Sequence, residues 1–140
     1  MSLYNVFNIA GTGMSAQSVR LNTTASNIAN ANTVSSSVDE TYRARHPVFA
    51  AELTKAASDQ QGESVGVAVK GIVESDSPLK VEYSPNHPMA DKDGYIYKPN
   101  VNVMEEMANM ISASRTYQTN VQVADAAKTM LSKTLLLGER

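Results

Sequence analysis

Two histidines and a pair of aspartates are the side chains in this sequence that could take part in catalysis or bind a metal. His46 and His87 are the only histidines, and each is followed by a proline. A general acid or base has to lie within hydrogen-bond reach of its substrate. Neither histidine has an obvious partner nearby in the sequence, so we expect both to lie in exposed loops and to do no chemistry.

Asp91, Asp93 and Gly94 resemble the beginning of a calcium-binding loop. Such a loop needs further acidic ligands downstream, whereas Tyr95 and Tyr97 occupy part of that stretch. We therefore interpret this segment as a turn, and we expect no metal site in the chain.

The composition excludes several other classes of protein. The chain has no cysteine, which rules out disulfides and thiolate zinc sites. Its formal net charge of -2 argues against a nucleic-acid partner, which would require a basic face. Gly11 and Gly13 follow no predicted strand, so a phosphate-binding loop is not expected. With 42% hydrophobic and 19% charged residues, the 140-residue chain suits one soluble domain.

The N-terminus does not predict a cleavable secretory signal. The first basic side chain is Arg20, so no basic segment precedes an apolar one. The lack of cysteine fits a protein that works outside the cytoplasm. If the chain is exported, we expect a route that cleaves nothing.

The longest predicted element is a helix over residues 102–137. No glycine or proline interrupts this stretch, and both residue types disfavour a helix. Asn102 is a suitable N-cap, and Glu105 can complete a capping box with it. Gly138 follows where a left-handed C-cap would end the helix.

A heptad pattern runs along this helix and predicts that one face packs against a partner helix. Its positions are Val103, Met107, Met110, Ser114, Tyr117, Val121, Ala124, Lys128, Leu131 and Leu135. A second apolar row lies beside it and consists of Val123, Ala127, Met130 and Leu137. One partner helix cannot cover both rows, so we expect several neighbours at this end.

The N-terminal segment carries a matching but weaker heptad pattern. Its positions are Leu3, Phe7, Ala10, Met14, Gln17, Leu21, Thr24, Ile28 and Ala31. Glycine, threonine and asparagine lower the helix propensity here, and a weak helix needs a packed face to persist in water. We expect this segment to be disordered in the free monomer and to fold when partners cover it.

The middle of the chain predicts short strands. Residues 65–73 and 79–83 alternate apolar and polar side chains on either side of a turn at residues 75–78, which predicts a hairpin. The Asp93-Gly94 turn leads into an aromatic segment, Tyr95 to Tyr97. Residues 33–47 are expected to form a loop, and residues 48–57 a short helix or strand.

These elements predict a mainly α fold with a small β insert, in which the two long terminal helices pair as a coiled coil and the middle is irregular and β-rich. We expect residues 1–33 and 101–140 to form one discontinuous coiled-coil domain around a loop and β-hairpin insert, residues 34–100.

The insert is too small to bury both heptad faces, and exposed apolar surface usually marks an association site. The sequence therefore predicts a self-assembling structural subunit.

The expected assembly interface consists of apolar heptad and second-row positions together with one lysine. These residues are Leu3, Phe7, Met14, Leu21, Ile28, Val103, Met107, Met110, Tyr117, Val121, Val123, Lys128, Met130, Leu131, Leu135 and Leu137.

Several alternatives stay open. A coiled-coil adaptor or export-apparatus component that never polymerises would share the heptads. Lys128 is either a long side chain reaching solvent or the partner of a carboxylate on a neighbouring subunit. Arg43, Arg45 and His46 either form a solvated loop or touch an acidic surface.

The chain also resembles the bacterial flagellar axial proteins, in particular those of the proximal rod, over nearly its full length. The segments that carry the resemblance are Ser26-Asn27-Ile28-Ala29-Asn30-Ala31-Asn32, Asp93-Gly94-Tyr95, Pro99-Asn100-Val101-Asn102, Ser112-Ala113-Ser114-Arg115, Tyr117-Gln118, Asn120 and Lys133-Thr134-Leu135. One departure is Val34-Ser35-Ser36 after Thr33, where many axial proteins have Pro-Gly-Tyr.

The resemblance implies a structural subunit of the flagellar basal body. Such a protein is exported by the flagellar type III apparatus with an uncleaved signal. It polymerises with itself and with other rod proteins, on the base components, into a drive shaft that crosses the periplasm around a central export channel. The resemblance implies no catalysis, no cofactor and no small-molecule substrate.

Overall fold

The computed structural model describes residues 3–53 and 65–138. Two long helices enclose four strands in the chain order α1 (Leu3–Asn30), β1 (Arg45–Leu53), β2 (Val65–Glu74), β3 (Lys80–Tyr83), β4 (Tyr95–Lys98) and α2 (Val103–Gly138). The predicted terminal helices and the small β insert between them are confirmed.

Helix α2 covers Val103–Gly138, one residue later at each end than the predicted helix over residues 102–137. The Asn102 side-chain Oδ1 accepts a hydrogen bond from the Met104 amide at 3.2 Å, which confirms the predicted N-cap. Gly138 is the last helical residue of α2, and among the described residues the only glycine with a positive φ is Gly94. The predicted left-handed C-cap at Gly138 was wrong, since glycine adopts the right-handed conformation as readily.

The chain divides into two compact units, and each long helix contributes to both. Unit 1 comprises Met1–Val19, Val48–Gly71 and Ser112–Arg140, and unit 2 comprises Arg20–Pro47 and Ile72–Ile111. The prediction of one helical domain around an insert stays a prediction.

In unit 1 the helices lie side by side in opposite directions. Gly13 faces Asn120, while the first turns of α1 line one pocket with Ala127 and Leu131 of α2. The same unit fixes β2 to α1, because the Val67 amide donates to Thr12 Oγ1 at 3.2 Å. In unit 2 the Arg20 guanidinium donates to Asn109 Oδ1 at 2.8 Å.

The strands form two separate two-stranded sheets, β1 with β2 and β3 with β4. The predicted hairpin between β2 and β3 was therefore wrong. The Ser75 amide, just after β2, donates to the Ala44 carbonyl at 2.8 Å, which extends the contact of β2 with the chain before β1. Alternating side chains predict that a segment is a strand, but they do not say which strand is its neighbour.

Strand β1 covers the end of a predicted loop and most of an undecided segment. It begins at Arg45, so the last three residues of the predicted loop 33–47 belong to a strand instead. For residues 48–53 the strand alternative is confirmed, and residues 54–57 lie outside the described part of the chain.

Sheet β3–β4 is antiparallel, with Val81 opposite Tyr97 and Tyr83 opposite Tyr95. The Tyr83 and Tyr95 rings meet edge to face with centroids 5.2 Å apart, a geometry that stabilises cross-strand aromatic pairs. An isolated antiparallel bridge from Ser35 to Tyr97 ties the segment after α1 to the same sheet.

A tight turn precedes β4, as the sequence predicts. Asp91 Oδ1 accepts hydrogen bonds from the amides of Asp93 at 2.9 Å and Tyr95 at 2.8 Å. Gly94 has φ +83°, and a Cβ there would lie 3.0 Å from the Tyr83 ring. The Asp91 carboxylate thus replaces missing backbone partners and acts as a turn residue.

Acid is expected to weaken this turn. The hydrogen bond from the Tyr95 amide, with others from Asp93 and from the Tyr97 hydroxyl, lowers the pKa of Asp91 below its ordinary value of 3.8. The stabilisation is therefore complete above that value and is lost as the pH falls through the lower pKa of the folded state. We expect Asp91→Asn to be less stable than the unaltered chain at pH 6, with the gap shrinking toward pH 2. Urea unfolding at a series of pH values measures the gap, and a gap that is independent of pH would contradict the expectation.

Two glycines of α1 offer a matched test of the helix contact in unit 1. A Cβ on Gly13 would lie 2.8 Å from Asn120 Nδ2, whereas nothing lies within 4 Å of a Cβ on Gly11. Alanine is about 1 kcal/mol better than glycine in a helix interior, so Gly11→Ala should stabilise the chain by about that amount. Gly13→Ala should gain less or lose stability, because Asn120 must move. Urea unfolding measures both, and Asn120→Ala combined with Gly13→Ala should restore the gain. Equal effects of the two single alanines would refute the close approach.

Candidate assembly surface

Helix α2 buries a narrow stripe of mostly small side chains within its own chain. The fully buried residues of α2 are Glu106, Ala113, Ala124 and Ala127. Their spacings of 7, 11 and 3 residues place them on one face of a helix with 3.6 residues per turn. Glu106, Ala113 and Ala127 each lie one residue before a predicted heptad position, whereas Ala124 is itself a heptad position. Contacts within the chain therefore bury mainly alanines of α2, and many of its larger apolar side chains stay exposed to solvent.

The large apolar side chains of α2 remain exposed to solvent. Those more than a third exposed are Met104, Met107, Ile111, Tyr117, Val123, Met130, Leu131, Leu135, Leu136 and Leu137. Large apolar side chains that stay exposed together mark sites of association on soluble proteins. The arrangement can bind other apolar helices.

None of the sixteen residues predicted for the assembly interface is fully buried. Those that lie half-buried are Leu3, Met14, Leu21, Ile28, Val103, Met110 and Val121. Those that lie exposed are Phe7, Met107, Tyr117, Val123, Lys128, Met130, Leu131, Leu135 and Leu137. Their role in an interface stays a prediction.

Sequence reasoning missed part of this exposed surface. Tyr4, Met104, Ile111 and Leu136 are more than half exposed but lie off both heptad patterns. Met104 and Ile111 are separated by seven residues, so a search for a second heptad face would have found them.

Unit 1 contains an open apolar pocket with a volume of about 400 Å³. We call it the apolar pocket, and its lining residues are Leu3, Tyr4, Phe7, Ala127, Lys128 and Leu131. Four predicted interface residues meet there, from the first turns of α1 and the last third of α2. Residues 132–138 follow on α2 and are all exposed. We call them the C-terminal leucine segment.

In unit 2 a buried asparagine on α1 holds the chain at the start of β1. Asn27 has no exposed surface. Its Oδ1 accepts from the Arg45 amide at 2.9 Å and its Nδ2 donates to the Arg45 carbonyl at 2.8 Å. The Tyr42 hydroxyl donates to the same Oδ1 at 2.9 Å. The side chain thus pairs both backbone groups of one residue, as a neighbouring strand would.

A second asparagine acts in the same way before α2. Asn100 Oδ1 accepts from the Ala44 amide at 2.8 Å, and its Nδ2 donates to the Ser77 carbonyl at 2.8 Å. Two asparagines therefore hold adjacent residues, Ala44 and Arg45. Buried backbone groups with such partners avoid a substantial desolvation cost.

The basic cluster near β1 already has partners within its own chain. Arg45 pairs with Glu74 at 3.0 Å and lies over the Tyr42 ring at 5.4 Å. Both charged side chains are about half exposed, so the pair contributes little stability. Arg43 donates to the Ser75 carbonyl at 3.3 Å. Burial raises the pKa of Tyr42 above its usual value of 10.0, which keeps its hydroxyl a donor to Asn27.

The described residues contain no cluster that could hold a metal ion. Within residues 3–53 and 65–138, no three His, Cys, Asp or Glu side chains are placed to hold a metal ion. In the same part of the chain, neither helix is long and apolar enough to cross a membrane. The exposed apolar surface is the feature that calls for a function.

Comparison with known proteins assigns the chain to a family. A family described as "Flagella basal body rod protein" matches residues 7–34, and one described as "Flagellar basal body rod FlgEFG protein C-terminal" matches residues 92–137. The flagellar basal-body rod protein FlgC of Salmonella typhimurium is 46% identical over 139 residues, which cover 99% of this chain and all of the relative. The chain belongs to the FlgC family.

More distant members support the same assignment. The FlgC protein of Escherichia coli O157:H7 is 45% identical over 99% of the chain and 100% of the relative. That of Borreliella burgdorferi is 36% identical over 98% of each. These relatives carry the name of a rod protein and not of an enzyme. The chain is a structural rod subunit of the flagellar basal body, and it associates with other rod or basal-body components.

Two of the segments that resemble FlgC contain the asparagines that hold residues 44 and 45 in unit 2. We call these two asparagines the clamps. Asn27 belongs to the asparagine-rich end of α1, and Asn100 belongs to the Pro99-Asn100-Val101-Asn102 segment before α2. Asn102 of that segment caps α2. Three residues from the segments that carry the resemblance therefore hold the chain around β1 to α1 and to the start of α2.

Proposed function

We propose that this chain is a polymerising subunit of the proximal rod. Its terminal helices pair with each other as a coiled coil and pack against those of neighbouring subunits around a central export channel. Copies and other rod proteins together form a helical drive shaft that transmits torque across the periplasm. The subunit reaches this place through the flagellar type III export apparatus without a cleaved signal, and the base components receive it.

One observation carries the proposal: on α2 the small apolar side chains are buried and the large ones are exposed. The chain buries the alanines Ala113, Ala124 and Ala127 while leaving methionines and leucines in water. Burying each Leu or Met side chain contributes roughly 1.5–3 kcal/mol, so the larger stabilisation becomes available only on assembly. Repeated association through such a surface produces rings or helical filaments.

The clamps of unit 2 fit a subunit that carries mechanical load. Asn27 and Asn100 connect the chain before β1 to α1 and to the start of α2 through direct hydrogen bonds. Closely packed protein layers resist deformation because their density approaches that of a crystal. A pair of helices whose ends in unit 2 are held by direct hydrogen bonds is suited to transmitting torque.

Replacement of the resident protein in a flagellated bacterium tests the proposal. A strain that lacks its own FlgC protein is supplied with this chain, and basal bodies are isolated and imaged. We expect complete rods that contain the chain, together with restored motility. Stable expression without incorporation into basal bodies would refute the function.

Lys128 offers a test of how subunits are held in register. It lies exposed at the lining of the apolar pocket, and we propose that it pairs with a carboxylate of a neighbouring subunit. Lys128→Glu should abolish rod assembly and motility, because it places two like charges at a desolvated contact. Arg115→Glu is the matched control, since Arg115 is exposed on the same helix but lies off the heptad pattern and outside the apolar pocket and residues 132–138. Swimming in soft agar measures both variants, and unchanged motility of Lys128→Glu would exclude the ion pair.

A further inference from the structure

The apolar pocket and the C-terminal leucine segment complement each other in size and chemistry. The pocket has a volume of about 400 Å³ and a mostly apolar lining. An engineered protein cavity of about 150 Å³ accepts a benzene ring, so this pocket has room for more than one leucine side chain. Leu135, Leu136 and Leu137 are 65%, 62% and 75% exposed.

Helix geometry keeps these leucines out of the pocket of their own chain. Leu131 lines the pocket, and Leu137 lies six residues further along α2, about 9 Å along the helix axis. Helix α2 is continuous from Val103 to Gly138, so the segment cannot turn back on itself. These leucines can therefore enter such a pocket only in a second copy of the chain.

Charge also favours the C-terminal end of a helix as the occupant. The last carbonyl groups of a helix carry a partial negative charge, which cations stabilise. Lys128 supplies a cation at the pocket lining. An entering helix C-terminus would therefore bring apolar side chains to the apolar lining and its negative end to the lysine.

We propose that the C-terminal leucine segment of one copy inserts into the apolar pocket of a second copy of this chain. A pocket on one part of a molecule and its occupant on another form a heterologous contact, which leaves one of each free after every addition. The contact repeats head to tail and produces an open row of copies. This inference rests on the proposed function. It adds that the neighbour bound by residues 132–138 is a second copy of this chain.

Disulfide trapping in isolated basal bodies tests the inference, because the chain has no native cysteine. Leu131→Cys and Leu137→Cys are introduced together in the full chain. The two positions are about 9 Å apart on one helix, beyond the Cα separation of about 7 Å that a disulfide tolerates. Any disulfide therefore joins two copies, and oxidised basal bodies should show a ladder of linked copies on a non-reducing gel.

A second pair and a control pair make the result decisive. Lys128→Cys with Leu136→Cys repeats the test while keeping Leu131 and Leu137. Leu131→Cys with Gln122→Cys is the control, since Gln122 is exposed on α2 but lies outside the leucine segment. We expect ladders from both test pairs and none from the control.

The outcomes separate this inference from the proposed function. If the unaltered chain enters basal bodies but neither test pair gives a ladder, the head-to-tail contact is refuted while the rod subunit stands. Dimers alone, equal ladders from the control pair, or linkage to a different rod protein would refute it as well. If the unaltered chain is stable in cells and absent from basal bodies, the proposed function fails and the inference fails with it.

Discussion

Replacing Asn27 with alanine should destabilise unit 2 by about 3–5 kcal/mol, a large share of the stability of a domain of this size. The side chain is fully buried and makes hydrogen bonds to the Arg45 amide, the Arg45 carbonyl and the Tyr42 hydroxyl. Alanine lacks the side-chain amide that makes these hydrogen bonds. The Arg45 backbone groups and the Tyr42 hydroxyl stay in place without it. Each of the three part-buried hydrogen bonds that are lost costs about 1–1.5 kcal/mol.

Two further variants separate the hydrogen bonds from helix propensity. Asn30→Ala is the matched control, because Asn30 lies one turn further along α1 and its side chain donates only to the exposed Ser26 carbonyl. We expect Asn30→Ala to change stability by no more than about 0.5 kcal/mol. Asn27→Asp keeps the shape and the acceptor but removes the donor to the Arg45 carbonyl, so it should also be strongly destabilising.

Urea unfolding measures the free energies, and amide hydrogen exchange at Arg45 measures the local effect. In the unaltered chain the Arg45 amide is held by Asn27 Oδ1 at 2.9 Å, and its protection should fall sharply in Asn27→Ala. Equal stabilities of Asn27→Ala and Asn30→Ala would show that the clamp contributes nothing.

The role of Asn27 also shows where prediction from the sequence ended. The terminal helices could be predicted because their determinants are local, namely the lack of glycine and proline in α2 and the cap at Asn102. An asparagine inside a helical segment has no periodic signature, and the partners of Asn27 lie 15 and 18 residues away in the sequence. Contacts between a side chain and a distant backbone depend on the tertiary fold.

The strands illustrate the same limit from another side. Alternation of apolar and polar residues predicted β2 and β3 as strands, yet each pairs with a different neighbour. The pairing depends on contacts such as Asn100 with the Ser75 and Ser77 carbonyls, which hold the connection between the two strands away from a tight turn. A turn-like composition at residues 75–78 could not reveal that contact.

The role of the predicted surface in an interface stays a prediction, but its burial within the chain is known. Heptad spacing did not tell which side chains of α2 the chain buries itself: Ala124 is a heptad position, whereas Ala113 and Ala127 lie beside that pattern. Small residues allow two helices to approach closely, as Gly13 does against Asn120. Apolar content alone therefore does not tell which face of a helix is used within the chain and which is left for neighbours.

The second large effect is expected from the C-terminal leucine segment. Changing Leu135, Leu136 and Leu137 together to glutamine should abolish rod assembly and motility while leaving the free chain as stable as before. The leucines are exposed in the free chain, and exposed substitutions usually change stability by no more than about 0.5 kcal/mol each. If the proposed contact buries only half of the area of each leucine, the loss is about 2–4 kcal/mol, or roughly 30- to 1000-fold in affinity.

A polar triple variant on the same helix provides the control. Thr116→Gln, Thr119→Gln and Thr129→Gln change three exposed side chains of α2 outside residues 132–138, and motility should survive. Deleting residues 135–140 should resemble the leucine variant, giving a chain that is exported but does not enter a stable rod. Urea unfolding of the purified chains, their appearance in the culture medium and swimming in soft agar measure the three properties separately.

The combination of these readouts distinguishes an assembly surface from a structural one. A residue that stabilises the fold lowers both stability and motility when it is changed, as Asn27→Ala should. A residue that serves only the contact between copies lowers motility alone, because its apolar area meets water in the free chain and meets protein only in the rod. Retained motility after the loss of all three leucines would mean that α2 has no neighbour at its end, and it would remove the physical basis for polymerisation through this surface.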